Sequence, residues 1–303
     1  MCIRDSYNSG NFLDCAYFKA GFVDWGDEVI VPNNPTGPLT IYGGTQNDWI
    51  VASGDDDTIY GESGDDVVMG GDGSDTIYLA AGDDAAYVEV ADLTGDAVID
   101  GGEGTDMLSF YAEYQYSSAI GYGIDTAVTI DMTSLGNATN FENLVGGDAG
   151  GTLNGDYNAN TIKGGRGTDT INGNGGNDIL VANGNNLAGA DDNTSTDDNL
   201  YGGSGDDTLN GNAGDNILDG GTGADTIYSG NGSDTIVIRS GDGGSSQSDG
   251  DTVADFTDGT DSIGLDTITY DALTISQVGS DTVIQESSNF LVTLTGISAS
   301  NIT

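Results

Sequence analysis

The sequence predicts an all-β protein. The expected form is a parallel β-roll, a solenoid of short coils in two repeat blocks with a β-rich cap at its C-terminal end. Three observations predict it. From Gly43 the chain reads in nines: GGTQNDWIV, ASGDDDTIY, GESGDDVVM, GGDGSDTIY and LAAGDDAAY. The sixth place is an acid and the eighth is apolar: Asp48, Asp57, Asp66, Asp75 and Asp84 against Ile50, Ile59, Val68, Ile77 and Ala86. Small residues fill the early places, and the chain holds 51 glycines against 3 prolines. A period of nine belongs neither to an α-helix nor to a plain strand. It marks one short unit stacked many times.

Taken in order, residues 1–42 form an N-terminal remnant or cap. MCIRDS at its start has no pattern and reads as an artefact of the reading frame. Aromatic residues follow (Tyr7, Phe12, Tyr17, Phe18, Phe22, Trp25), read as core, and Val29-Ile30-Val31 reads as a short strand ended by Pro32. The first block spans 43–109. Val88–Ala91 interrupt its phase before DLTGDAVID and GGEGTDMLS, and the latter brings Asp106 to the sixth place. Ala97 stands where the other unit's acid would be. Residues 110–145 form a non-repeat β spacer, with strand alternation over Ala127–Met132.

The second block spans 146–237. Asp169 and Asp178 precede a loop over Ala182–Asp192, and Asp198, Asp207, Asp225 and Asp234 follow it. Over both blocks there are 16 units. The sixth place is Asp in 12, Asn at Asn160 and Asn216, and Ala97 or Gly151 in the others, while the eighth is apolar throughout. A random glycine-rich linker would not hold both columns in phase. Residues 238–303 alternate in segments such as Leu273-Thr274-Ile275 and Thr282-Val283-Ile284, read as a β cap. A stack needs one because its last coil otherwise exposes an apolar face.

Composition removes several functions. With 50 acidic and 5 basic residues the formal charge is -45, which opposes binding to nucleic acid or anionic membranes. There is no histidine, hence no HExxH zinc site, Ser-His-Asp triad or Cys-His pair. Cys2 and Cys15 make no disulfide framework, and no 18-residue apolar run predicts a membrane span. No catalytic residue is assigned. A Thr column at place seven (Thr58, Thr76, Thr208, Thr226) lacks a second Thr rank at place nine, so Thr is read as a strand former.

The nine has a physical reading. Early glycines open backbone turns closed to other residues, and places seven to nine form a strand with its middle residue inward. Two nines make a coil, so residues 18 apart stack at about 4.8 Å. Asp48, Asp66 and Asp84 then share one edge, with Asp57 and Asp75 on the other. Asp207 stacks with Asp225, and Asp198, Asn216 and Asp234 share the opposite edge. Carboxylates so close repel unless a cation lies among them. Calcium suits them, a hard ion taking six to eight oxygens; magnesium prefers a tighter, wetter octahedron. Zinc and copper want the nitrogen or sulfur ligands that are scarce here.

These nines resemble the G-G-x-G-x-D-x-U-x repeat of RTX proteins, the hemolysin-type calcium-binding family, in which that nonapeptide builds a calcium-binding β-helix. The resemblance implies several calcium ions between stacked loops. The twelve sixth-place Asp side chains would be ligands, together with carbonyls of early-loop residues such as Gly44, Gly71, Gly73, Gly203, Gly205, Gly221 and Gly223. Pairing same-edge loops gives about eight sites. Gly241–Ile263 resembles the segment after the last repeat in RTX proteins and serralysin-type secreted proteases, which guides type I secretion there; read from its residues alone, it is a β cap. The resemblance implies a secreted, extracellular or cell-surface bacterial protein, with calcium as its partner. A structural, surface-layer or adhesin-type module is one reading. The non-catalytic half of a larger secreted protease, lipase or epimerase is the other.

Overall fold

The computed structural model describes residues 28–30, 37–88, 98–110, 127–147, 149–183 and 195–302. The N-terminal aromatic cluster, both cysteines, Ala97, the tyrosines between 111 and 122 and most of the 182–192 loop lie outside them. The described chain is almost entirely β, and its only helices are short 3-10 turns. Among the described residues no helix is long and apolar enough to cross a membrane.

The chain divides into two compact units. The first holds residues 1–124 and 134–145, the second 125–133 and 146–303. In the first, strands alternate between two parallel sheets. Thr40–Gly44, Thr58–Ser63, Thr76–Ala81, Val98–Glu103 and Ala138–Thr139 lie on one side. Glu28–Ile30, Trp49–Val51, Val67–Met69, Ala85–Tyr87, Met107–Ser109 and Asn143–Val145 lie on the other. The second unit repeats this plan. One side runs from Val128–Asp131 through Gly151–Asn154, Asp169–Gly175, Asn199–Ser204, Ile217–Thr222 and Thr235–Arg239 to Ser262–Asp266. The facing side runs from Thr161–Gly165 through Ile179–Asn183, Thr208–Asn210 and Thr226–Tyr228 to Asp251–Val253.

The register is the one the nine dictates. Ile50 pairs Val68, Ile59 pairs Ile77, and Leu209 pairs Ile227, each 18 residues apart. Across the interruptions the parallel pairing resumes in register. The four residues after Tyr87 lengthen one coil to the 22-residue step from Ile77 to Ile99. The strand Ile179–Asn183 takes in Ala182 and Asn183, the first two residues of the loop read from the sequence, and the pairing then makes a 29-residue step from Leu180 to Leu209. The parallel fold is thus the expected β-roll.

Place eight builds the core. Ile41, Ile50, Ile59, Val68, Leu108, Leu200, Leu209, Leu218, Ile227 and Ile236 are all 0% exposed. The stripe is wider than one residue, because place one also turns inward: Leu79 and Ile238 are equally buried. Leu218→Ala removes methyl groups from a column that cannot collapse around the gap. Denaturant unfolding in saturating calcium is expected to show a loss of about 2–5 kcal/mol. On one side of the first unit place nine is half-buried, and Tyr42, Tyr60 and Tyr78 stack there with ring centroids 4.9 and 5.5 Å apart.

The C-terminal segment closes the second unit with a meander. Leu273–Val278, Asp281–Glu286 and Asn289–Leu294 pair antiparallel, and the last lies parallel to Asp251–Val253. Val283, Ile284, Leu291, Val292 and Leu294 are buried beneath it. The alternating segments read from the sequence become these strands.

Candidate metal sites

Each sixth-place acid sits at the inner corner of its coil, held by the strand that begins one residue later. Its first oxygen reaches back along the stack. The Asp48 backbone N–H donates to Asp66 Oδ1 at 2.8 Å, Asp66 to Asp84 at 2.7 Å and Asp84 to Asp106 at 2.9 Å. On the opposite edge Leu39 donates to Asp57 at 2.8 Å and Asp57 to Asp75 at 2.8 Å. In the second unit one column runs Asn160, Asp178, Asp207, Asp225. The other runs Asp169, Asp198, Asn216, Asp234. The acids are therefore stacked on the edges that the period of 18 assigns them.

The second oxygen is the unusual atom. Asp66, Asp84, Asp106, Asp169, Asp178, Asp207, Asp225 and Asp234 are 0–2% exposed, and Oδ2 of each is buried without a hydrogen-bond donor among the described residues. A buried ionised oxygen left so costs several kcal/mol. Burial pushes Asp66 and Asp178 up to about 7 and Asp169 to about 8. It raises Asp106, Asp198 and Asp234 to about 6. Neighbouring negative charge adds to the burial, from Asp84, Asp48 and Asp65 on Asp66 and from Asp198 on Asp169. Asp84 and Asp207 move up for the same first reason.

The place-one glycine makes room for this oxygen. A Cβ on Gly61 would stand 2.5 Å from Asp66 Oδ2 and 2.7 Å from the Leu79 carbonyl oxygen. On Gly164 it would stand 2.6 Å from Asp169 Oδ2. Asn216 shows what surrounds the position. Its Nδ2 donates to the carbonyls of Gly211 at 2.9 Å and Gly214 at 3.2 Å, places one and four of its own loop. Where the repeat has Asp, a carboxylate oxygen in the same position would meet those two carbonyls acceptor against acceptor. A hard cation among them satisfies all three, and their oxygens suit calcium. Among the described residues no three carboxylates form a cage, so a cation held here would need backbone carbonyls beside the carboxylate.

The carbonyl residues named from the sequence divide accordingly. Gly73, Gly205 and Gly223 hold place four, the equivalent of Gly214, with φ of +131°, +130° and +141°. Gly44, Gly71, Gly203 and Gly221 hold place two, also with positive φ. The Gly203 and Gly205 carbonyls point along the stack at the α-carbons of Gly221 and Gly223, where any Cβ would overlap them. Place-one carbonyls were missed, because glycine there reads simply as a turn residue. Glu142, Asp251 and Asp261 were also missed. Glu142 Oε2 accepts from Asp106 N at 2.8 Å, Asp251 Oδ1 from Asp225 N at 3.1 Å and Asp261 Oδ1 from Asp234 N at 3.1 Å. The D-x-apolar signal is present in Asp251-Thr252-Val253 and Asp261-Ser262-Ile263, but it lies 26 and 27 residues on instead of 18. Burial pushes Asp251 up, and the adjacent Asp225 charge adds to it.

Place five works in the opposite sense. The Asp83 N–H donates to Asp65 Oδ1 at 3.0 Å, Ser74 to Asp56 at 2.9 Å and Ala224 to Asp206 at 2.9 Å. Each of these three gaps is thus clasped by one acid from either side. Asp65→Ala is expected to lower stability in calcium by about 1 kcal/mol in denaturant titration, since this exposed acceptor is replaceable by water.

Fold and site define a parallel β-roll whose turns carry buried carboxylates suited to a hard cation. The family model for the RTX calcium-binding nonapeptide repeat (4 copies) matches residues 40–68, 60–87, 145–186, 192–227, 201–236 and 211–243, a little under half of the chain. The matched nines are RTX calcium-binding nonapeptide repeats. No curated protein matches the sequence. Among solved structures, the extracellular lipase LipA from Serratia marcescens is similar at 17% identity with a TM-score of 0.31. That similarity covers 89% of this chain and 40% of the lipase chain, so this chain spans well under two thirds of that protein.

Proposed function

We propose that this chain is a secreted bacterial module that folds on binding extracellular calcium and serves a structural, surface-layer or adhesin-type role. The observation that carries the reading is the set of buried second oxygens without a donor, at the place where the Asn216 amide meets the place-one and place-four carbonyls of its loop. The sixth-place Asp side chains of both blocks, with the carbonyls of places one and four, are the proposed ligands. Extracellular calcium is abundant enough to fill many sites of modest affinity, the regime of extracellular modules. Calorimetric titration of chelator-treated protein is expected to show several calcium ions bound per chain and little response to magnesium. Absence of calcium binding at millimolar concentration would sink the reading.

A second reading makes this chain the non-catalytic, calcium-binding part of a larger secreted enzyme. It is favoured by Gly241–Ile263, which resembles the post-repeat segment of secreted proteases and supplies the further stacked acids Asp251 and Asp261. On either reading this chain is expected to hydrolyse neither casein nor simple esters. An HExxH or GxSxG domain encoded upstream in the intact gene decides for the second.

A further inference from the structure

Four loops already satisfy their place-six side chain from within; in one of them Asp198 Oδ2 accepts the place-four Thr196 hydroxyl at 3.4 Å, and its place two lies outside the described residues. Asn216 does so with its own amide, bonded to Gly211 and Gly214. Asp57 Oδ2 accepts from both the backbone N–H and the hydroxyl of Ser53, at 2.9 and 2.8 Å. Asn160 Oδ1 accepts the backbone N–H of Asp156 at 2.9 Å.

Ser53 and Asp156 both occupy place two, and the backbone there separates the loops. In the loops of Asp66, Asp84, Asp106, Asp169, Asp178, Asp207, Asp225 and Asp234, the place-two residue is left-handed. It is so even where it is not glycine: φ is 77° at Glu62, 81° at Ala80 and 73° at Asn174. A non-glycine residue there costs about 1–2 kcal/mol. All eight of those loops leave Oδ2 without a donor. Ser53 and Asp156 are absent from the left-handed region, and each turns its N–H into the place-six side chain. Asn212, at place two of the Asn216 loop, is left-handed with φ of 57°, but there the amide itself supplies the donor.

We propose that cation loading is set loop by loop, by place-two backbone and place-six residue type, and that the loops of Asp57, Asn160 and Asn216 form without an ion. An internal N–H takes the position that a calcium ion takes elsewhere. The loops that leave the acid bare hold a strained backbone in the conformation that keeps N–H groups away from it. This inference rests on the calcium reading above, and it changes which parts of the repeat are ion-binding.

The test is calcium stoichiometry, by native mass spectrometry of the full chain in calcium chloride, for the parent protein and two gain-of-site variants. Asn216→Asp removes the internal amide. Ser53→Gly removes the hydroxyl and frees place two to turn left-handed. Each is expected to bind one more ion per chain than the parent. Far-UV circular dichroism in calcium checks that each variant is folded, and the two variants lie in different units. An ion count unchanged from the parent in both folded variants overturns the inference while leaving the calcium reading intact. A parent that binds no calcium overturns both.

Discussion

In chelator at pH 7.5 the chain is expected to lose most of its β signal, and calcium is expected to restore it cooperatively. The reason lies in the balance of the two columns. The apolar column is narrow: one place-eight side chain per nine, joined by occasional place-one residues such as Leu79. Against it stand the ordering of a glycine-rich backbone and rows of buried carboxylates one coil apart. The first oxygen of these acids is held by a backbone N–H, but in eight of them, Asp66 and Asp84 among them, the second has no donor to offset its desolvation. A formal charge of -45 adds repulsion over the whole roll. Since the sites do not exist in the unfolded chain, their binding free energy becomes folding free energy. Far-UV circular dichroism during a calcium titration measures this directly. A metal-free chain with its full β signal at pH 7.5 would show that the core suffices and would refute the coupling.

The second large effect is of pH, and its direction distinguishes these acids from ordinary surface ones. Asp66, Asp106, Asp169, Asp178 and Asp234 are raised in the folded, metal-free chain to between about 6 and about 8. Unfolded Asp titrates near 3.9. The folded chain therefore binds more protons than the unfolded one at intermediate pH. The stability these groups contribute is complete below about pH 4 and is lost as the pH rises through about 6–8. In chelator, acidification from pH 8 to pH 5 is thus expected to restore β structure, where calcium-bound protein needs no such help. Conversely, calcium must displace the protons, so its affinity falls with acidity, about tenfold per pH unit for each proton displaced. Circular dichroism in chelator across that range, with proton release followed in weak buffer, checks both statements. A metal-free chain less structured at pH 5 than at pH 8 would contradict the burial argument.

Much of this was legible because a solenoid is nearly one-dimensional. A period of nine with an acid at place six and an apolar residue at place eight fixes which residues stack, because each coil contacts only its neighbours. Asp48 over Asp66 over Asp84, and Asp207 over Asp225, follow by counting. The repeat could be followed past its interruptions because its phase resumes after them, at steps of 22 and 29 residues. Counting fails where the spacing fails. Asp251 and Asp261 continue the columns at steps of 26 and 27. Glu142 continues a column 36 residues on, with Glu in the place of Asp ahead of Asn143 and Leu144, which pair with Met107 and Leu108.

The sequence by itself determined the parallel β-roll, its core column, the edges on which the acids stand and the oxygen-loving ion they suit. All of these depend on residue type and period alone. Only the tertiary structure decided which oxygen of each carboxylate is used and which is left bare. It alone revealed that place-one glycine makes room for that oxygen. It also separated Asp57 from Asp66, which the repeat treats as equivalents. The physical reason is that the difference lies in one backbone angle at place two. Ser53 directs its N–H into the acid, whereas Glu62, held left-handed at a cost, does not. A torsion of that kind is chosen by the coils packed above and below, and a list of side chains does not contain it.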